Sequence, residues 1–446
     1  MLGKRQFMAG LVVALCAVPL SAANYKVAHL LDSWDTGDGC SLREAIFAHN
    51  SSGQKGANEC GAFDPGADTI EFASGVTGTL RLNPALGDLL LTEPELTIQG
   101  PGASQLSISG SKVMSVFVLD LIRPPVFTLR GATIRNGLGV APPGGWNAQG
   151  GGIRMDLGGS PTPANPTTIL VEDCDFFANT APMGVTSRGA AIMSYGTLTV
   201  RRTKFRFNQS DTGALWHFGE ALIEDSEFSD NFGEYLSSAA VLFAPGPWTV
   251  RRTLFQKNSI HLNGGILMFY ANEGKGLIEN STFSGNSTLT GEAIYSSAAS
   301  ITVRNSTFVD TAQVGAIGGS GAVVSVGAAS LVLRSNLFAR NDRSDATAVS
   351  VTAEYNLFDT AAANLPAGTV CATTTLGGAN LCGVTTAGIG PLSSNGGPTQ
   401  TFPLLTGSPA INTGFAPWTL LTDQRGPGFA RTVGLGTDIG AFEVQP

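Results

Sequence analysis

Charge is scarce in this chain. Asp, Glu, Lys and Arg make up 13% of its 446 residues, about half the usual share for a soluble domain. With so few cations and a formal net charge of −8, nucleic acid and anionic membrane are excluded as main partners. Histidine is as rare, at four residues, and no His/Cys/Asp spacing matches a zinc site. After the first 23 residues no apolar run is long enough to anchor the chain in a membrane. Apolar residues nevertheless reach 43%, with 57 glycines, which is not the composition of a disordered chain. So little charge and so much glycine require a backbone that satisfies itself in long ladders.

The N-terminus reads as an export signal, residues 1–23. Lys4 and Arg5 form its positive region, Phe7 to Val18 its apolar stretch, and Ser21-Ala22-Ala23 a small-residue cleavage site. Cys16 follows Leu15 rather than the small residue a lipoprotein signal wants. Five cysteines remain in the mature chain. Local pairing joins Cys40 to Cys60 and Cys371 to Cys382 in an oxidising compartment, leaving Cys174 free.

The middle of the chain repeats. VEDCDFFAN (171–179), VRRTKFRFN (200–208), IEDSEFSDN (223–231), VRRTLFQKN (250–258), IENSTFSGN (278–286), VRNSTFVDT (303–311) and LRSNLFARN (333–341) align without gaps, and AEYNLFDTA (353–361) follows more loosely. Their shared phenylalanines, Phe176, Phe205, Phe228, Phe255, Phe283, Phe308, Phe338 and Phe358, are 29, 23, 27, 28, 25, 30 and 20 residues apart. Apolar residues alternate with period two inside each unit, which excludes an α-solenoid. Each unit predicts strand, tight bend, strand. In VRRTLF, Val250, Thr253 and Phe255 point inward, Arg251 and Leu254 outward, and Arg252 sits at the bend. Glycine-led strands precede the units: GGGI (150–153), GAAI (189–192), GGIL (264–267) and GEAI (291–294). These segments predict a three-sided coil repeated about eight to ten times, an all-β right-handed parallel β-helix.

The repeats also predict columns. The outward slot runs Glu172, Arg201, Glu224, Arg251, Glu279, Arg304, Arg334, Glu354, and the bend slot Asp173, Arg202, Asp225, Arg252, Asn280, Asn305. Alternating sign is what an in-register parallel stack selects, because like charges one rung apart repel. Asn280 and Asn305 suit a left-handed bend and hydrogen bonds between rungs. The inward slot holds Cys174, Thr203, Ser226, Thr253, Ser281 and Ser306, so Cys174 reads as a buried residue of serine size.

An open coil needs covers. CSLREAIFAHN (40–50) predicts a short capping helix, with Ser41 and Glu44 at capping-box spacing. Residues 24–75 form this N-terminal cap, 76–365 the coils, and 366–446 the last coils and an irregular terminal cap. CSLREAI with ADTIEF (67–72) resembles the CSLREA domain of exported bacterial β-helix proteins. NGGPTQTFPLLTGSPAINTG, DQRGP and DIGAFE are similar to the choice-of-anchor Q region, and the F-x-x-N units to repeats of polymorphic outer-membrane proteins. The resemblance implies a β-helix outside the cytoplasm, in a family mostly without an assigned reaction.

Chemistry is harder to place. Asp173, Asp175, Asp225, Glu227 and Asp230 are a carboxylate set suited to a cation or to acid–base work, but Arg201, Arg202 and Lys204 fall on the rung between them, and the charge ladder accounts for them. DTGDG (35–39) and DPGAD (64–68) carry oxygen ligands suited to Ca²⁺, the one cofactor considered. His217 and His261 read as packed or hydrogen-bonded side chains. On the glycine-led strand, taking Ile192, Leu215, Val241, Ile266 and Ile294 as inward leaves Met193, Trp216, Leu242, Leu267 and Tyr295 outward. That stripe is either a platform for sugar rings or a partner protein, or a second small core beneath loops. Extracellular recognition or adhesion by a monomer, with a glycan or protein ligand, is the expectation. A polysaccharide lyase or glycoside hydrolase and a structural scaffold are the alternatives.

Overall fold

The structure, a computed structural model, describes residues 23–51, 59–61, 67–93, 95–120, 126–140, 148–156, 167–182, 187–234, 240–244, 246–261, 264–269, 274–290, 292–297, 300–314, 323–342 and 344–446. The residues read as an export signal, apart from Ala23, lie outside them. Among the described residues the strands form parallel sheets of 18, 10 and 5 strands, each strand pairing with its counterpart one coil on. The chain is a right-handed parallel β-helix. It has almost no helix, and no described helix is long and apolar enough to cross a membrane.

The eight phenylalanines stack through the interior. Successive ring centroids from Phe176 to Phe358 lie 5.1, 4.4, 5.1, 4.8, 4.7, 4.8 and 5.2 Å apart, each pair adding about 0.5–1.5 kcal/mol beyond its area. Three residues after each of the first five phenylalanines, a buried asparagine continues the order. Asn179, Asn208, Asn231, Asn258 and Asn286 pass Nδ2–H to the next Oδ1 at 2.9–3.1 Å. Asn336, Asn356 and Asn380 repeat this on a second line. Amide ladders suit a rung repeat because each side chain carries both donor and acceptor.

Both bends put non-glycine residues at positive φ. The first bend holds Asp173, Arg202, Asp225, Arg252, Asn280, Asn305, Ser335 and Tyr355, with φ between 45° and 58°. A third corner needs glycine: a Cβ on Gly219 would sit 2.0 Å from the Gly196 carbonyl oxygen, and one on Gly246 2.1 Å from that of Gly219.

The charge column is in register, alternating from Glu172 opposite Arg201 to Glu279 opposite Arg304; one like-charged step, Arg304 opposite Arg334, precedes Arg334 opposite Glu354. Glu224 is its hub, taking Arg201 at 2.6 Å, Arg251 at 2.6 Å and Arg252 at 3.1 Å. Burial pushes its carboxyl up, but Arg251 and Arg201 pull harder and leave it below the ordinary glutamate range. A lowered folded value stabilises the fold above that range, and the stabilisation is lost as pH falls through it. Glu224→Gln should therefore cost about 1–2 kcal/mol at pH 7, measured by urea unfolding. The gap to wild type should close in acid; a gap that persists at pH 3 would contradict the ladder's role.

The front end matches the capping box. Leu42–Asn50 is helical, Glu44 N–H donates to Ser41 Oγ, and Ser41 N–H donates to the Glu44 carboxylate. Cys40 is bonded to Cys60 and Cys371 to Cys382. At the back end, expected as last coils and an irregular cap, the chain does more than close the coil. Residues 370–384 complete a last coil, with Leu381 bridged to Leu357, but from about 390 the chain turns back along the side of the coil. Thr399 bonds the Arg252 carbonyl, Gln424 takes Thr282 Oγ1–H at 2.6 Å, and Ala441 N–H reaches Thr307 Oγ1. Asn280 and Asn305 accordingly donate to the carbonyls of Thr422 and Phe415, not to the next rung. The cause is the outward slot before each phenylalanine. It is charged at Asp175, Lys204 and Glu227 but apolar at Leu254, Leu337 and Leu357, all three buried, so only the later rungs need a cover. Val309, Leu337, Leu357, Phe402 and Ile439 make this second, smaller core.

Candidate functional site

Where the C-terminal segment does not reach, the same face stays open as a groove of about 550 Å³. Two outward columns build its floor. One runs Ser107, Thr133, Asp175, Lys204, and the other Arg135, Phe177, Arg206. Asp173 and Arg202 from the first bend complete the wall. Four cations and two carboxylates therefore line it.

The carboxylates are neutralised from within. Arg202 grips Asp173 through two bonds of 2.8 and 2.9 Å, and Arg206 grips Asp175. Hydrogen bonding to these partners pushes both guanidinium values further up. Two cations keep free capacity. Lys204 is more than half exposed and meets Glu227 only at 4.0 Å. Arg135 has no carboxylate partner among the described residues, and its buried Nε has no hydrogen-bond acceptor. Arg135 and Arg206 lie over the Phe177 ring at 5.4 and 5.3 Å, which fixes both planes. Phe207 packs edge-on to Phe177 at 5.6 Å and is 50% exposed. The arrangement offers cationic donors and an aromatic rim, with no unpaired carboxylate for acid–base work.

The residues singled out on the glycine-led strand sit elsewhere. Met193 is opposite Trp216, and Trp216 opposite Leu242, as the column required. Leu267 is a correction: it pairs with Val241 and Ile294 in the inward column, and Met268 takes the outward place beside Tyr295. GGIL pairs residue for residue with GEAI, so matching Ile266 to Ile294 slips the column by one residue, which moves a side chain to the opposite face. Nor is the stripe an open platform. Met193 and Met268 are buried, Tyr295 is half-buried, and Trp216 is 9% exposed beneath the Arg188 guanidinium, 4.8 Å from its ring. The side chain of Leu242 lies outside the described residues.

Other candidates are also accounted for. Cys174 is buried, and burial pushes its thiol up to about 12. His217, fully buried, is pushed down to about 4 by desolvation and bonds Ser194 and the Glu220 carbonyl. His261 is exposed near Glu234. In the 35–39 loop, Gly37 and Gly39 aim their N–H groups at Glu59, an anion-binding geometry rather than a cation-binding one; most of DPGAD lies outside the described residues. No group of three or more potential metal ligands occurs among the described residues. A second cavity of about 570 Å³ near the last coils is lined by Arg340, Asp342 and Asp359. Behind it, burial and then Asp359 push Asp345 well above the carboxylate range, and Arg340 is taken up by Asp310.

Comparison with known proteins agrees with the architecture. The model of the right-handed β-helix region matches residues 126–308 and 196–359, together more than half of the chain. The chain belongs to that family. Among solved structures it is similar to the pectate lyase Pel9A, at 13% identity and a TM-score of 0.47, over 96% of this chain and 98% of that one. It is also similar to a mannuronic acid specific polysaccharide family 6 lyase from human gut microbiota, at 12% identity and a TM-score of 0.30, over 75% of this chain and 80% of that one. No curated protein matches the chain.

Proposed function

We propose that this protein is an exported β-helix of the CSLREA and choice-of-anchor Q type that recognises an anionic glycan in the groove over Arg135, Phe177 and Lys204. The observation that carries this reading is the pair of cations with free capacity in an open, aromatic-edged groove, on a chain otherwise net acidic. Carboxylate or sulfate on a sugar matches the half-buried Arg135 guanidinium and the Lys204 ammonium, and the acidic remainder of the surface repels non-specific anions. Two disulfides and the leader-like N-terminus support an extracytoplasmic site. Adhesion through a protein ligand and pure scaffolding remain poorer accounts because neither uses this groove.

A lyase is the second reading. A lysine beside an arginine is a set suited to removing a proton next to a neutralised carboxylate. Binding is preferred because both groove carboxylates are tied up and no second acid–base group stands free. The test offers carboxylated, sulfated and neutral oligosaccharides to the purified protein, scoring retention and new unsaturated ends. Retention of anionic members alone, weakened by salt, is the expected result. Unsaturated products would favour the lyase, and retention of neutral members would overturn the charge argument.

A further inference from the structure

We infer that Phe207 is a sugar-stacking residue, kept at the rim of the groove against the interest of fold stability; this rests on the glycan reading above. The residue two places after each stacked phenylalanine from Phe176 to Phe338 turns the second bend with positive φ: Ala178, Phe207, Asp230, Lys257, Gly285, Asp310 and Arg340, between 51° and 60°. Small, flexible or short polar residues bear that conformation best, and for a bulky side chain it is strained. Phe207 is the one aromatic in this described column. Burial does not compensate it, since half of the residue faces solvent, and its partner Phe177 already has two guanidinium groups over its ring. Strained backbone of this kind clusters at binding sites.

The rim supplies what the cations lack. Arg135 and Lys204 recognise charge but not ring shape. A pyranose presents apolar C–H faces as well as polar edges, and the exposed half of Phe207, packed against the groove residue Phe177, is an aromatic surface that such a face can cover. The ligand class is thereby narrowed to a sugar whose anionic substituent reaches Arg135 or Lys204 while its ring lies on Phe207. A simple inorganic anion or a flexible acidic peptide would have no use for the ring.

Phe207→Asn and Phe207→Trp separate stability from binding. Asn tolerates the left-handed bend, so F207N should melt at a higher temperature than wild type while its Kd for an anionic oligosaccharide rises about tenfold or more. F207W should bind as wild type does. Equal binding by F207N and wild type would overturn the inference while leaving the groove reading intact. An unchanged or lower melting temperature for F207N would overturn the strain argument. Absence of any anionic-glycan binding by wild type would sink both.

Discussion

Asn231→Ala should destabilise the middle coils by about 3–5 kcal/mol. The Asn231 side chain donates to the Phe205 carbonyl and to Asn258 Oδ1, both at 2.9 Å, and accepts from the backbone and side-chain amides of Asn208, both at 3.0 Å. All three asparagines are buried. Truncation would strip the backbone and side-chain amides of Asn208 of their shared acceptor and take one donor from Asn258 Oδ1, which keeps the Asn231 N–H, and one from the Phe205 carbonyl, and a stranded buried group costs about 1–3 kcal/mol. The neighbours cannot re-pair across the gap, because the next asparagine lies two rungs away. Stability in a solenoid is shared between nearest neighbours, so hydrogen exchange should speed up first in the rungs around Phe205 and Phe255. A loss below about 1 kcal/mol in urea unfolding would mean that the ladder is incidental to a fold held by its phenylalanines.

Arg425→Ala should release the C-terminal segment from the side of the coil, at a cost of about 3–5 kcal/mol. The guanidinium lies 4.0 Å from the centroids of both Phe429 and Phe442 and bonds Asp423 at 2.6 and 3.0 Å. Asp423 is fully buried, so removing the arginine strands its charge. Asp423 also receives the Glu443 N–H, and Glu443 pairs with the fully buried Arg431, which reaches Asn280 on the coil. Losing Arg425 therefore loosens the linkage between DQRG and DIGAFE and their hold on the β-helix. Limited proteolysis should cut the variant within 390–446 while the coil stays resistant, and dye binding should rise as Leu254, Val309 and Leu337 are uncovered. An unchanged digestion pattern would show that the segment is held mainly by its apolar contacts.

The coil itself was written plainly in the sequence. A phenylalanine per turn, serine-sized residues inside and charges of alternating sign permit one stacking register, and the structure adopts it. The cover was legible only in retrospect: Leu254, Leu337 and Leu357 occupy an outward slot, yet each passes for an ordinary strand residue when read alone. The groove was hidden for two reasons. Asp173, Asp175, Arg202 and Lys204 were absorbed by the charge ladder, which does account for the first three. Arg135 belongs to a coil with Ile134 in the phenylalanine position, so the repeat alignment never reached it. The glycine-led strand failed differently. Its residues alternate as required, but period two cannot tell an exposed stripe from one covered by loops, and matching Ile266 instead of Leu267 to Ile294 put Leu267 on the wrong face.

The central claim is that charge with free capacity in this groove recognises an anionic glycan, and the direct measurement is calorimetric titration of wild type and of Arg135→Gln/Lys204→Gln with a uronate or sulfated oligosaccharide. The account predicts binding by wild type that weakens with salt, at least a hundredfold loss on removing both cations (about 3 kcal/mol), and unchanged thermal stability, since neither side chain carries a strong ion pair. Undiminished binding by the double variant would contradict it and place recognition elsewhere on the coil.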